Sequence, residues 1–132
     1  MSDSKKSPFN QIGYVCLYVS DLQESINFYQ NVLGLELDTN VSTDNFFAFK
    51  TGNPQLALEK GGVKKDSEKN KAENPVLLQF LADTPEMLEA MNKRLEERGV
   101  TLLKRSQESS WGISTNFLDL DGNKLSIVYM RR

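Results

Sequence analysis

The chain contains no histidine among its 132 residues, and that absence excludes more chemistry than any motif present implies. Serine–histidine and cysteine–histidine nucleophile systems are ruled out, so a base poised near neutrality has to be a perturbed carboxylate, cysteine, lysine or tyrosine. Imidazole ligation of a metal goes with them. Cysteine is nearly as scarce: lone Cys16 can form no disulfide within the chain, fits a reducing compartment, and offers at most one thiolate ligand. Long apolar runs are missing too, since nothing approaches the roughly 20 residues that span a bilayer. The opening MSDSKKSPFN lacks the apolar core of a secretory signal. A cytoplasmic location and no membrane partner are the expectations.

Basic charge is not in excess either. The formal net charge is −2, and it is uneven: residues 1–8 carry +1, the stretch 60–74 carries +2 and the last two arginines +2. What remains is an acidic body of 7 basic and 14 acidic residues, without the basic face that phosphate binding requires. No nucleic-acid partner is expected. With 39% hydrophobic and 26% charged residues, the composition suits one domain with a real core. It divides into a tail 1–8, a first module 9–60, a Lys-rich solvated connector 61–75 and a second module 76–132.

What is present is a plan used twice. Residues 14–19 form a β-branched and aromatic run, followed by Ser20 and Asp21, both able to cap a helix, with Ser20 and Gln23 at capping-box spacing. Leu22, Ile26, Tyr29 and Leu33 recur at helical spacing, and Gly34 ends the helix. Strands are expected at about 35–42, 45–50 and 55–59, separated by turn-forming residues. The second half repeats the order: a strand at 76–81, then Thr84-Pro85 as cap and first helical residue. Met87 or Leu88, Met91 and Leu95 give an apolar face, with Glu86, Glu89, Glu96 and Glu97 mostly on the solvated one. Strands follow at 100–105, 112–118 and 124–130, the last two joined at Asp121-Gly122-Asn123.

These residues carry a resemblance. YVCLYVSDLQESINFYQNVLGLEL resembles the opening module of the vicinal oxygen chelate superfamily, which groups glyoxalase I, extradiol dioxygenases and bleomycin-resistance proteins. Trp111-Gly112 followed by FLDLDGNKLSIVY is similar to its closing hairpin, with Leu120 where that turn usually has proline. The resemblance covers residues 11–130. It implies an α+β fold in which two pseudo-symmetric β-α-β-β-β modules form an open eight-stranded cup with helices outside. Metal enzymes of the superfamily place four ligands on the cup wall, and carried over, those positions fall on Tyr14, Ala57, Val76 and Ser126. None is an ordinary divalent-metal ligand. Glu59, two residues beyond Ala57 and on its face, is the carboxylate nearest this set and the best remaining candidate base. Asp119 and Asp121 are the close pair of acids, and they read as turn formers. The expectations are therefore no metal, no cofactor and a lean away from catalysis.

By strand alternation Tyr14, Cys16 and Tyr18 face the cup, as do Ser126, Val128 and Met130 on the last strand. Phe47 and Phe49, or else Phe46 and Ala48, join them, with Glu59 nearby and Trp111 at the rim. Such an aromatic wall suits an aromatic or cationic organic molecule. Three functions stay open: a metal-free protein that sequesters a small-molecule ligand, a glyoxalase-type lyase, isomerase or dioxygenase with a divergent site, and a structural or regulatory partner whose cup is closed. Open strand edges and the habits of the superfamily point to a homodimer.

Overall fold

The computed structural model describes residues 11–64 and 76–131; the tail 1–8 and most of the connector lie outside them. β1 (Tyr14–Val19) leads into α1 (Leu22–Asn27), which widens into a π-helical turn, Phe28–Val32. Three strands follow: β2 (Leu37–Asp38), β3 (Phe46–Phe49) and β4 (Gln55–Lys60). The second module runs β5 (Leu77–Leu81), α2 (Pro85–Glu97), β6 (Leu102–Glu108), β7 (Gly112–Leu118) and β8 (Lys124–Met130). The eight strands form two four-stranded sheets, ordered β1-β4-β3-β2 and β5-β8-β7-β6. In each, the first and last strands of the module pair in parallel and the others antiparallel.

Local chemistry accounts for most boundaries. The Thr84 hydroxyl accepts from the Met87 N–H at 3.1 Å and Pro85 occupies the first turn, as expected of α2. At α1 the cap differs from the expected Ser20–Gln23 box: Asp21 accepts from the Glu24 N–H at 3.0 Å. Ser20 is taken by a distant partner instead, donating from its hydroxyl to Asp121 at 2.7 Å and from its backbone at 2.5 Å. The helix stops at Gly34, φ +82°, a left-handed conformation that glycine adopts without strain. The strand expected over 35–42 is held to two residues, because only Leu37 and Asp38 find partners on β3. On α2, Leu88 and Leu95 are buried as the spacing implies, whereas Met87 is exposed and the polar Asn92 is fully buried, donating to Ser106 Oγ at 2.8 Å.

The modules share one core. Val19, Ile26, Tyr29, Phe49, Leu56 and Leu58 of the first belong to the same buried cluster as Leu88, Leu95, Phe117, Leu125 and Ile127 of the second. Polar links brace the junction. Tyr29 donates to Asp119 Oδ2 at 2.6 Å, and Arg94 and Arg98 reach the carbonyls of Asn31 and Val32, placing cations where the first helix ends in unpaired acceptors.

Candidate functional site

Strand register sorts the side chains into two sets. Val15, Leu17 and Val19 lie on the face of Leu56 and Leu58, toward the helices and the core. Tyr14, Cys16 and Tyr18 lie on the opposite, cup-side face, level with Gln55, Ala57 and Glu59. Across the next strand, Ala48 stands beside Ala57 and Phe46 beside Glu59. This settles the parity of the third strand. Phe46 and Ala48 share the cup side, whereas Phe47 pairs with Leu58 and Phe49 is buried among core residues, so the expectation that Phe47 and Phe49 line the cup is corrected. The reason is simple: Phe-Phe-Ala-Phe is apolar throughout, so its alternation carries no phase.

The first half-cup is thus a floor of small residues, Cys16, Ala57 and Ala48, under aromatic walls. Tyr14 and Phe46 meet edge to face across it, ring centroids 5.6 Å apart. Tyr18 stays 58% exposed beside Glu59. Burial and, secondarily, the Glu59 charge push the Cys16 thiol above its ordinary pKa, so at neutral pH it is a thiol and a poor nucleophile. Asp38, at the end of this floor, is engaged by Gln55 Nε2 at 2.9 Å.

The second half-cup has another character. One row crosses all four strands, from Gln79 to Ser126, Asn116 and Lys104, and it is polar throughout. Gln79, Asn116 and Lys104 escaped sequence reasoning because hydrophilic residues on a strand read as solvent-facing. Ser126 and Val128 are buried in the floor, and among the described residues the Ser126 hydroxyl has no hydrogen-bond partner. Met130 is half exposed. Trp111 stands at the rim one residue before Gly112, its carbonyl held by the Arg131 N–H at 2.8 Å. Gly112 is required there, since a Cβ would lie 2.0 Å from the Tyr129 carbonyl oxygen.

The register also tests whether a metal of the superfamily type fits. Tyr14 pairs with Gln55 as Leu77 pairs with Lys124, so Leu77, not Val76, is the second-module counterpart of Tyr14; Val76 lies outside β5. Ala57 and Ser126 correspond in the same way, opposite Cys16 and Gln79. A phenol, a methyl, an isobutyl group and one hydroxyl are not a divalent-metal donor set. Among the described residues no group of three or more His, Cys, Asp or Glu side chains is placed to hold a metal ion. Asp119 and Asp121 serve the turn and the junction: Asp119 Oδ1 accepts from the N–H groups of Asp121 and Asn123, while Asp121 takes Ser20. Among the described residues, no helix is long and apolar enough to cross a membrane.

Comparison with known proteins agrees with this geometry. Residues 11–127 match the model of the Glyoxalase/Bleomycin resistance protein/Dioxygenase superfamily. Over 116 residues the chain is 31% identical to glutathione transferase FosA of Serratia marcescens, covering 88% of this chain and 78% of that protein. Among solved structures, a glyoxalase/dioxygenase from Nostoc punctiforme superposes with a TM-score of 0.80 at 21% identity, covering 96% of this chain and 97% of the other. TnmS3, an antibiotic binding protein from Streptomyces sp. CB03234, superposes with a TM-score of 0.69 at 20% identity, covering 96% of this chain and all of its own, 100%.

Proposed function

The chain belongs to the glyoxalase/bleomycin resistance/dioxygenase superfamily, and within it we propose a metal-free binding protein that sequesters an aromatic or cationic organic molecule. One observation carries this reading: the positions where the superfamily's enzymes hold metal are occupied by Tyr14, Ala57, Leu77 and Ser126, while the first half-cup around Tyr14 and Ala57 presents aromatic side chains and the Glu59 carboxylate. Tyr14, Tyr18 and Phe46 supply stacking and cation–π surfaces, on the order of 0.5–2 kcal/mol each. Glu59 supplies the counter-charge, and the row from Gln79 to Lys104 supplies hydrogen bonds that orient the polar end. The superposition on an antibiotic binding protein is compatible with this use of the fold.

Each chain offers two half-cups rather than one closed cup. Their rims expose Tyr18, Leu77, Leu81 and Met130, apolar surface that favours burial. The proposal is that two copies associate so that the first half-cup of one faces the second half-cup of the other, in the cytoplasm. Sedimentation at micromolar concentration tests the dimer, and a single 15.0 kDa species refutes it. Titration with aromatic and cationic compounds, read by Trp111 fluorescence, tests the ligand; a flat response across a broad panel counts against sequestration.

A second reading has support in the 31% identity to a glutathione transferase. It places transferase chemistry on the same face, with a metal bound at positions other than the four compared above. Elemental analysis separates the two: stoichiometric metal, with an activity abolished by chelation, replaces sequestration by catalysis.

A further inference from the structure

A second cavity lies on the other side of the sheets, where the modules meet. Leu33 and Leu35, which follow the first helix, face Phe80 at the end of β5 and Met87 and Met91 on α2. Phe117 and Ile127, both buried, contribute the deeper wall. The volume is about 230 Å³, and every described residue that lines it is apolar. Except for Leu81 and Met87, which are exposed at its mouth, these residues belong to the core side of their elements, so the cavity is separate from the cup-side faces that carry Cys16, Glu59 and Ser126.

We infer that this cavity is a binding site for a compact, uncharged apolar molecule of one or two rings. Three properties carry the inference. The space is open to solvent on the side of Leu81 and Met87, and its volume of about 230 Å³ accommodates a guest of one or two rings. Among the described residues no charged or hydrogen-bonding side chain lines it, so an ionic or strongly polar ligand would find no replacement there for the hydration it gives up. Met87 and Met91, with their unbranched thioethers, form a wall that adapts to the guest's shape. Because Leu33 and Leu35 come from the first module and the other walls from the second, a guest braces the junction between them.

The test uses the full chain labelled with 13C at the methionine methyls and titrated with toluene. Saturable shifts of the Met87 and Met91 signals, with Met130 unmoved, are expected, together with a rise in melting temperature. Benzoate, of similar shape but charged, is expected to leave both signals in place. Ala82→Leu projects a larger side chain from the cavity wall and should weaken toluene binding about tenfold or more. Met87→Phe narrows the space from an exposed position and serves the same purpose if Ala82→Leu fails to fold. The inference is overturned if Met87 and Met91 do not respond up to the solubility of toluene, if Met130 moves with them, or if both filling variants bind as the parent does. Signals that follow protein concentration rather than toluene assign the cavity to contact between copies and overturn it equally. None of these readouts depends on Trp111 or on occupancy of the cup.

Discussion

In the first module the cup-side positions of the central parallel pair read Tyr14, Cys16 and Tyr18 against Gln55, Ala57 and Glu59; in the second the same positions read Leu77, Gln79 and Leu81 against Lys124, Ser126 and Val128. The core-side positions between them read alike: Val15, Leu17, Leu56 and Leu58 in one, Leu78, Phe80, Leu125 and Ile127 in the other. The repeated topology is therefore encoded on one face of each sheet, where the helices and shared core require apolar volume. The other face is free to diverge, and here one copy became aromatic and acidic while the other mixes aliphatic side chains with an amide, a hydroxyl and a lysine. A ligand bridging the two meets unlike surfaces, which suits a molecule with a flat or cationic part and a hydrogen-bonding part.

The sharpest way to break this comparison is at the glycines. Gly112→Ala drives a Cβ into the Tyr129 carbonyl, contact with backbone rather than with a yielding side chain, and should cost on the order of 3 kcal/mol or more. Gly13→Ala, at the entry to the first module with no described atom within 4 Å of the added Cβ, should stay within about 0.5 kcal/mol. Urea melts of the two variants check this, and equal stabilities would mean that β7 and β8 are not spaced as described.

Next comes the junction. Tyr29→Phe removes a hydroxyl from the buried Asp119 carboxylate and should cost about 1–3 kcal/mol. The pH dependence gives an independent readout. Burial, reinforced by Asp119, holds the Tyr29 pKa well above its ordinary value, so the folded state retains this proton longer than the unfolded state does. Its contribution is complete below about pH 10 and declines as pH rises beyond. Stability curves of the parent should fall through that alkaline range more steeply than those of Tyr29→Phe; parallel curves would show that Tyr29 does not titrate in the clasp.

A smaller effect separates the two faces functionally. Glu59→Gln should weaken a cationic aromatic ligand by about three- to tenfold, while Lys104→Gln should leave its affinity unchanged or improve it, since only the first removes an attractive charge. Calorimetric titration of both variants decides the matter, and equal losses would erase the assigned division of labour. Smallest of all is Ser126→Ala. Its hydroxyl is buried without a partner among the described residues, so removal should be neutral to slightly stabilising, within about 0.5 kcal/mol. A loss above about 1 kcal/mol in thermal melts would reveal a bond to that hydroxyl.

How far the sequence could be read depended on whether a local signal had a competitor. The strands at 112–118 and 124–130 emerged at their observed bounds, because Asp119 to Asn123 form a self-contained turn and the flanking residues alternate. Thr84-Pro85 likewise left no other reading. Ser20 failed as a cap because Asp21 accepts from the Glu24 N–H in its place, while the Ser20 hydroxyl and N–H donate to Asp121, 101 residues away. Asn92 drew no reading from its spacing and is buried because it donates to Ser106, where β6 departs from regular pairing and takes a positive φ of 49°. Of the site, Tyr14, Cys16, Tyr18, Glu59, Ser126, Val128 and Met130 were assignable to the cup side from alternation alone, and the Phe46–Phe49 strand was not.

The sequence by itself determined the superfamily, the order of elements and the lack of histidine donors, because these follow from residue identity and short-range spacing. Only the tertiary structure decided which phenylalanines face the cup, that Leu77 is the counterpart of Tyr14, and that both modules close on one core with an apolar cavity at their seam. Those depend on pairing between residues tens of positions apart. Alternation gives each strand two faces, but cross-strand register and packing choose between them.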